Sequence, residues 1–502
     1  MCVTKNLSRG VMLAAVILVT PALSHDNVSQ ATKAGKDEGE VRWLAGDHHI
    51  HSRFSTGWDS KTTPPTPIVG EDALYPIPMN AVMARRFGLD WMVATDHGGP
   101  NHSKVSHDHS YPELLESRKA VPDLVQFFGM ELNTPGADHS SIIIPAGPDE
   151  ADRLASFELR FDAKEVFPLD PARNEESKML EALKAADAQV PKPIVIAHHP
   201  SRSANALGQY GLTTPRELRR WNDTAPEVAI GMEGAPGHQA AGQMKERFAP
   251  SVYAGYFGKV RPRGAYGNYP TMGGFDQMTA QLGGFWDSML GEGRRWWITA
   301  TSDSHVHWTD GGADFWPGEY SKTYVRASKT HDAILASIRA GRVFVTTGDL
   351  VTSVDFTAQA AGNKNLAETG GTLKVPQGQV VKIALKITDP SSSNANGDTP
   401  RLARVDLIRG KVTGRGNNFD ANSNPTTSVA ARFTADSWQQ RGDSITIMFN
   451  ISDLNGNEYI RVRGTNTSDL EPPVDADGEN AWGDLWFYTN PIFLEAVGKT
   501  KQ

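Results

Sequence analysis

The stretch RWLAGDHHIHS, residues 42–52, joins an apolar run to a close group of histidines. The run from Arg42 to Gly46 has the length and composition of a short buried strand, and the histidines follow it directly. Side chains two positions apart on an extended segment point to the same face, so His49 and His51 can contact one metal ion together. The stretch therefore predicts a strand that ends in a metal-binding pair.

The same arrangement recurs along the chain, where polar groups follow other apolar runs. These groups are Asp96-His97, Glu131 with His139 eight residues later, His198-His199-Pro200, and Asp303-Ser304-His305. Asp303 and His305 repeat the spacing of the first pair. A lone histidine is more often a hydrogen-bonded structural residue than a ligand. Five groups in the same relation to successive strands instead favour one shared site.

Apolar runs and helical patterns alternate from residue 41 to about residue 348. The predicted strands are Arg42–Gly46, Trp91–Thr95, Val125–Met130, Ile142–Ile144, Ile194–Ala197, Ala229–Met232 and Trp297–Thr301. Helical periodicity occurs at Glu175–Ala186, with Met179, Leu180 and Leu183 on one face, and at Asp332–Ala340, which Gly341 ends. This alternation predicts an α/β barrel or an open α/β sheet. If the strands are parallel members of one barrel, their carboxyl ends meet at one rim, where active sites of such barrels lie.

The pattern changes after residue 349. Apolar residues alternate with Lys and Ala between Val381 and Ile387, and Ile460 and Val462 alternate with Arg461 and Arg463. This period of two is typical of half-buried antiparallel strands. We predict a β-sandwich over residues 350–496 that follows a barrel domain at 41–349. No candidate catalytic group falls in the sandwich, so its expected role is structural cover or oligomer contact, with the oligomeric state left open.

Residues 1–24 have the order of a secretory signal. Lys5 and Arg9 precede the apolar run Val11 to Val19, and small residues follow it. We therefore expect a periplasmic or secreted protein that begins near His25, with residues 25–40 as a flexible lead-in. The apolar run is short for a membrane span, and no membrane association is expected.

Charge and cysteine content narrow the class of protein. Removal of residues 1–24 takes away two positive charges and no acid, so the formal charge goes from −8 to −10. A chain this acidic, without a basic stripe, is not expected to bind nucleic acid. The single cysteine, Cys2, lies in the signal, which leaves histidine and carboxylate as the available metal ligands.

These motifs resemble those of the polymerase and histidinol phosphatase (PHP) superfamily. The matching runs are DHHIHS at 47–52, TDH at 95–97, Glu131 with His139, HP at 199–200, and SDSH at 302–305. The resemblance covers roughly residues 41–348 and keeps the family order. It implies a distorted seven-stranded β/α barrel and hydrolysis of phosphoesters. The signal, the barrel and the following β-domain are similar to a secreted branch that includes carbaryl hydrolase-type enzymes and organophosphate phosphodiesterases.

The resemblance also implies a set of metal ligands. His49, His51, Glu131 and Asp303 would surround one ion, and Glu131 would bridge to a second ion held by His139 and His199. A third ion would use His97, His305 and a residue shortly after the His-x-His run. This chain has Thr56 and Gly57 there, and Asp59 is a possible substitute. Two or three ions of manganese, zinc or iron are expected, since nitrogen and oxygen ligands suit all three metals.

Several neighbours of these motifs have open roles. His48 and His198 are expected to point away from the ligands, whereas Asp47 and Asp96 are expected to orient ligand histidines. The candidate catalytic residues are Glu131, Asp303, Asp96 and Arg202. Arg202 would meet a substrate oxyanion or remain a solvated loop charge. His102, His107 and His109 either supply a proton donor or belong to the surface, and the second is favoured.

Glycines and aromatic residues interrupt the strand pattern between residues 234 and 295. They form either an extra packed helical pair or the wall of an apolar substrate pocket. The aromatic members are Tyr253, Tyr256, Phe257, Tyr266, Tyr269, Phe275, Phe285 and Trp286.

The motifs and their resemblance together predict a metal-dependent phosphoesterase that hydrolyses small organophosphate diesters with metal-activated water. The alternatives are a hydrolase of carbamates or aryl esters, and a protein that binds metal or ligand without turnover.

Overall fold

The computed structural model describes residues 39–241, 271–312, 314–362, 364–475 and 479–498. The strands up to residue 347 are β1 (Arg42–Ile50), β2 (Gly57–Asp59), β3 (Thr66–Ile68), β4 (Trp91–Ala94), β5 (Val125–Asn133), β6 (His139–Ile144), β7 (Ile194–Ala197), β8 (Ala229–Pro236), β9 (Trp297–Thr301), β10 (Ser321–Ala327) and β11 (Val343–Thr347). The later strands are β12 (Ser353–Ala360), β13 (Leu366–Glu368), β14 (Thr372–Pro376), β15 (Val381–Thr388), β16 (Arg404–Lys411), β17 (Ser428–Phe433), β18 (Gln439–Arg441), β19 (Ser444–Ile451), β20 (Glu458–Thr465), β21 (Trp486–Thr489) and β22 (Ile492–Val497). The proposed signal, residues 1–24, and almost all of the lead-in, residues 25–40, lie outside the described residues.

The helices lie mainly in the first part of the chain. They are α1 (Ile77–Arg86), α2 (His102–Val105), α3 (Tyr111–Ala120), α4 (Glu150–Phe161), α5 (Glu176–Asp187), α6 (Pro215–Thr224), α7 (Gly237–Ala241), α8 (Gln277–Ala280), α9 (Phe285–Gly291) and α10 (His331–Arg339). The two predicted helices correspond to α5 and α10 within one residue at each end. Met179 and Leu183 of α5 are buried, as the apolar face predicted, and Gly341 follows α10 with a φ of 69°. Among the described residues no helix is long and apolar enough to cross a bilayer.

All seven predicted strands are neighbours in one mixed sheet, in the order β1-β4-β5-β6-β7-β8-β9. The pairs β1/β4, β4/β5, β7/β8 and β8/β9 are parallel, whereas β6 runs antiparallel to both β5 and β7. The assumption that every strand is parallel is therefore wrong at β6. The reversal has a useful consequence, because it puts the first residue of β6, His139, opposite Asn133 at the carboxyl end of β5.

The first and last members of this row approach each other. The backbone N–H of His51 donates to Ser304 O at 3.0 Å, and the N–H of Asp303 donates to His49 O at 3.0 Å. The segments that carry the two ligand pairs are thus joined directly. The coarse prediction of a mixed α/β fold is confirmed, and closure into a seven-stranded barrel stays a prediction.

The region after residue 349 is rich in antiparallel strands. One sheet has the order β13-β12-β15-β19-β18, and a second group of strands, β14-β22-β20-β21 with β16 and β17, continues the large sheet through β11. The alternation predicted at residues 381–387 is confirmed by the burial of β15. In β20 it is wrong, because Arg461 and Arg463 are buried and form ion pairs with Asp287 and Asp406. A buried arginine needs such a partner, and the alternation of residue types alone does not reveal one.

The junction between the two regions is a continuous piece of sheet. Phe344 of β11 pairs with Thr489 of β21, and the Trp43 indole donates to Asp355 at 2.9 Å. The hydrogen-bonded sheet therefore runs across residue 350. The division of the chain into two domains at this residue stays a prediction.

Candidate metal centre

The two histidines at the end of β1 point to the same place. Their Nε2 atoms are 3.0 Å apart, and both side chains are fully buried. Asp303 Oδ1 lies 3.0 Å from His49 Nε2 and 3.1 Å from His51 Nε2. These three residues form one of the groups whose geometry could hold a metal ion.

Glu131 lies at the centre of the cluster. Its Oε1 is 3.1 Å from His49 Nε2, 2.9 Å from His139 Nδ1 and 3.0 Å from His199 Nε2. Its other oxygen, Oε2, is 3.5 Å from His51 Nε2 and 3.7 Å from His97 Nε2. One carboxylate thus faces two separate sets of nitrogen atoms, as a residue that bridges two ions must.

His198 also belongs to the cluster, contrary to the sequence-based expectation. Its Nδ1 lies 2.9 Å from Glu131 Oε1, and its ring stacks on His49 with centroids 3.5 Å apart. The expectation assumed extended backbone through residues 198 and 199. However, β7 ends at Ala197 and His199 has a φ of 22°, so the side chains no longer alternate.

A third group contains an aspartate that the motifs did not predict. His97 Nε2 is 3.1 Å and His305 Nε2 is 3.5 Å from Asp72 Oδ2. His51 joins these histidines in a group that could hold a metal ion. Asp72 lies in the loop before α1, where the backbone N–H of Leu74 contacts His305 O at 3.5 Å. Asp59 instead lies in the β2/β3 hairpin and accepts a hydrogen bond from the backbone of Lys61.

All eight predicted metal ligands therefore occur in one contact network. They are His49, His51, His97, Glu131, His139, His199, Asp303 and His305. Asp72 and His198 are additional members that adjacency and spacing did not reveal.

Buried carboxylates orient the histidines from behind. Glu233, within β8, accepts a hydrogen bond from His49 Nδ1 at 2.7 Å and from the backbone N–H of His199 at 2.5 Å. With its Nδ1 proton directed at a carboxylate, His49 turns the Nε2 lone pair toward the cluster. Glu233 was missed, although it follows an apolar strand in the same way as the other groups.

Asp96 acts on His51 through a serine. Ser55 Oγ lies 2.7 Å from His51 Nδ1 and donates to Asp96 Oδ1 at 3.1 Å. Asp96 also accepts from the backbone N–H of Ser52 at 2.6 Å. It therefore orients a ligand histidine, as the sequence predicted, but does so through Ser55 and not by direct contact.

Asp47 and His48 lie behind the cluster. Asp47 accepts backbone hydrogen bonds from His49 and Ser302, each at 3.0 Å, and so joins the two ligand-bearing segments. Burial raises the pKa of Asp47 to about 7, against the opposing effect of its hydrogen bonds from Ser302 and His49. His48 Nε2 lies 2.8 Å from Thr299 Oγ1. Both residues support the site, and neither belongs to the central network around Glu131.

Two cluster residues have strained backbone. His199 has a φ of 22° and Asp303 a φ of 52°, in the left-handed region that residues with a Cβ rarely adopt. Such conformations cost on the order of 1–3 kcal/mol each and concentrate at functional sites. The structure thus holds two ligand-type side chains at a cost in backbone energy.

The charges of the cluster suit cation binding. Burial raises the pKa of Glu131, but the nearby His139 and His49 outweigh it and hold that pKa well below its usual range. The same balance of burial against His49 lowers the pKa of Asp303.

Burial lowers the pKa of His51 and of His139 well below the usual range. Burial acts in the same direction on His49 and His305, but nearby carboxylates outweigh it and raise both pKa values, that of His305 to about 9. Ionised carboxylates and neutral imidazoles are the forms that bind divalent metals, so metal binding would displace the protons of His49 and His305.

The residues present fit a metal centre. Asp303 Oδ2 is buried and has no hydrogen-bond partner among the described residues, which is unusual for a carboxylate. Nitrogen and oxygen donors without sulfur suit manganese, zinc or iron. These buried His, Glu and Asp groups could hold metal ions.

The rim of the cluster contains several predicted residues. Arg202 pairs with Asp138 at 3.3 Å and lies close enough to His139 to lower its pKa further, after burial. The expected surface position is wrong for His102, which is buried because its ring pairs with Glu158, whereas His107 pairs with Asp108 on the surface. The histidines of this loop therefore have structural or surface partners.

The aromatic segment divides into two parts. Phe275, Phe285 and Trp286 are buried in the hydrophobic core, which supports packing for this part of the segment. The other aromatic members, Tyr253, Tyr256, Phe257, Tyr266 and Tyr269, lie outside the described residues.

No known family profile matches the chain, and no curated protein matches it. Among solved structures, a beta-glucosidase from Listeria innocua in complex with glucose is 12% identical over 30% of this chain and 17% of that chain, with a TM-score of 0.14. So small a match carries no argument about fold or function. The resemblance to the PHP superfamily therefore stays a prediction.

The position of Asp72 leads to a test of the third group. We expect Asp72→Asn to lower the number of bound divalent ions by one, because an amide is a weaker ligand and removes the carboxylate that faces the Nε2 atoms of both His97 and His305. Elemental analysis of purified, metal-loaded protein measures this number. Asp59→Asn is the matched control and should keep the full metal content. Equal metal content in the Asp72 variant and the wild type would contradict the assignment.

Proposed function

We propose that this protein is a metal-dependent phosphoesterase with a PHP-like barrel. The observation that supports this most strongly is the position of Glu131, whose two oxygens face separate sets of imidazole nitrogens. The contacts between the segments after β1 and β9 agree with a closed barrel. The ligand groups collect at one edge of the sheet, where such barrels carry their chemistry.

Each part of the cluster has a distinct task in this proposal. Bound divalent ions would supply Lewis acidity and lower the pKa of a water molecule toward neutrality. Glu131 and Asp303 hold the negative charge that attracts the ions. Glu233 and Ser55 fix the rings of His49 and His51, so their lone pairs do not have to reorient during the reaction. Arg202 lies at the rim, where it can meet a substrate oxygen.

Phosphodiesters are the proposed substrates. Two features of the sequence favour a substrate with one negative charge: the motif for a third ion lacks its usual ligand, and few cations lie beside the motifs. Asp72 removes the first of these reasons. The second reason remains, since the guanidinium of Arg202 is already paired with Asp138. A diester carries one negative charge and needs less neutralisation than a monoester, which carries nearly two.

A substrate panel tests the proposal. We expect metal-loaded protein to hydrolyse bis-aryl or alkyl-aryl phosphates with a higher kcat/KM than aryl phosphates or aryl N-methylcarbamates, and EDTA to abolish the activity. Preference for the monoester would refute the charge argument, and preference for the carbamate would favour a carbamate or aryl ester hydrolase. Failure to hydrolyse any of them with full metal content would favour a binding protein.

Export to the periplasm or medium is also part of the proposal. It rests on the order of charge, apolar run and small residues in 1–24.

A further inference from the structure

Asp475 connects the region after residue 349 to residues 271–274. Its Oδ2 accepts hydrogen bonds from Thr271 Oγ1 at 2.6 Å and from the N–H of Gly274 at 3.0 Å, and its Oδ1 accepts from the N–H of Gly273 at 2.6 Å. Gly273 and Gly274 have φ values of 57° and 74°, a conformation that glycine adopts readily. Within the described residues, both lone pairs of Oδ2 are in use, whereas Oδ1 keeps one.

Asp484 lies against the same glycine. A Cβ on Gly273 would be 3.2 Å from Asp484 Oδ2 and 2.6 Å from Trp486 Nε1. Asp484 is only 7% exposed, and its Oδ2 has no hydrogen-bond partner among the residues that the structure describes. A buried carboxylate oxygen without a partner is rare, because nothing compensates its desolvation. The oxygen of Asp484 therefore indicates a ligand that binds beside Gly273.

The surroundings of these two carboxylates are acidic. Residues 469–484 contain six carboxylates and no lysine or arginine. Burial, with a further contribution from Glu479, raises the pKa of Asp475 to about 6. Burial and the charge of Asp475 raise the pKa of Asp484 to about 8. Since burial and neighbouring negative charges both oppose ionisation, a bound cation would remove a substantial cost.

We propose that Asp475 and Asp484 bind a calcium ion beside Gly273. The donors are Asp475 Oδ1 and Asp484 Oδ2, and hard oxygen ligands without histidine or cysteine select calcium or magnesium over the transition metals. Magnesium demands a near-ideal octahedron and loses water reluctantly, so two carboxylates in a buried position suit the larger calcium ion better. Neither residue belongs to the histidine cluster, and the inference does not depend on the proposed function.

The affinity of this site should be low. Two protein carboxylates leave most of the coordination positions of calcium to water, and sites with few ligands have Kd values of about 10⁻⁴ to 10⁻³ M. Calcium-free buffer would therefore remove the ion during purification, and an experiment has to add it back.

The bound ion would stabilise a junction that leads to the histidine cluster. Asp276, two residues after Gly274, accepts hydrogen bonds from the N–H of Ser201 at 3.1 Å and from Ser201 Oγ at 2.9 Å. Ser201 directly follows His199-Pro200. By fixing residues 271–276 against Asp475 and Asp484, calcium would also hold the loop after His199. Its expected effect is on the stability of the fold.

The test compares wild type with Asp484→Asn and with the control Asp469→Asn, an exposed aspartate of the same acidic stretch. All proteins are first loaded with manganese and dialysed, so that the histidine cluster does not compete for calcium. Isothermal titration with calcium chloride should show one ion per chain in wild type and control, and at least about tenfold weaker binding in Asp484→Asn. About 10 mM calcium should raise the unfolding temperature of wild type and control by about 2–4 °C and leave that of Asp484→Asn unchanged.

Asp484→Asn keeps the shape of the side chain and removes a buried charge, so it should fold without calcium. Asp475→Asn is a second variant and should lose calcium binding in the same way. The inference would be overturned by absence of calcium binding in wild type, by unchanged binding in Asp484→Asn, or by equal weakening in Asp469→Asn. An equal rise of the unfolding temperature with magnesium would overturn the assignment to calcium.

Discussion

Replacement of Glu131 by glutamine is expected to reduce kcat/KM on the best substrate by on the order of 1000-fold. Its carboxylate contacts both sets of imidazoles, and an amide cannot supply the charge that bridges two ions. Loss of several kcal/mol of transition-state stabilisation corresponds to a factor of that size. The substitution keeps the shape of the side chain, so the effect should come from metal loss, which elemental analysis measures.

His48→Ala is the comparison for this experiment. His48 is as deeply buried as the ligands, yet it contacts Thr299 and lies behind the network. Removal of a supporting residue of this kind typically costs on the order of 10- to 100-fold. Thermal unfolding of both variants shows whether either has lost its fold. Equal losses of activity and metal in the two folded variants would overturn the assignment of Glu131 as the central ligand.

Removal of divalent metal is expected to lower the unfolding temperature by on the order of 5 °C. A ligand that binds only the folded state, present at 100 times its Kd, stabilises that state by about 2.7 kcal/mol. In this protein the chelated state would leave Glu131 and Asp303 buried among histidines. It would also remove the metal binding that offsets the energetic cost of the strained backbone at His199 and Asp303. Differential scanning calorimetry with and without EDTA measures the shift.

Glu131→Gln serves as the control, because it should unfold at nearly the same temperature with and without chelator. Restoration of the wild-type transition by added manganese or zinc would show that the chelator acts through the metal. An unchanged transition in chelated wild type, with metal removal verified by elemental analysis, would mean that the cluster folds as a hydrogen-bonded network that does not need ions.

The reversed strand β6 shows which part of the site the sequence predicts and which part depends on the fold. The motif at Glu131 and His139 was expected to follow a strand like the others. Instead Glu131 lies near the end of β5, and His139 begins an antiparallel strand after a short turn. Both side chains reach the same edge because the chain turns back there. The sequence correctly predicted that the two residues lie together, although the predicted direction of the strand was wrong.

Local periodicity fixed much of the site before any tertiary structure was considered. The period of two in an extended chain is a property of the backbone, so the pair His49/His51 could be assigned from spacing alone. The same argument does not hold for Asp303 and His305, because β9 ends at Thr301 and Asp303 has a φ of 52°. Apolar runs of strand length marked where each ligand group begins, and all seven runs are neighbours in the sheet. Absence of cysteine after residue 2 determined the chemical type of the ligands.

Only the tertiary structure could supply Asp72, His198 and Glu233. Asp72 comes from an irregular loop whose path depends on contacts with the segment at His305, and loops have no periodicity to extrapolate. His198 reaches the cluster because the strand ends one residue before it and the backbone turns into a positive φ at His199. Glu233 became recognisable through its bond to His49, a contact between residues 184 positions apart. Backbone geometry is local and can be predicted from sequence, whereas these contacts depend on how distant segments pack.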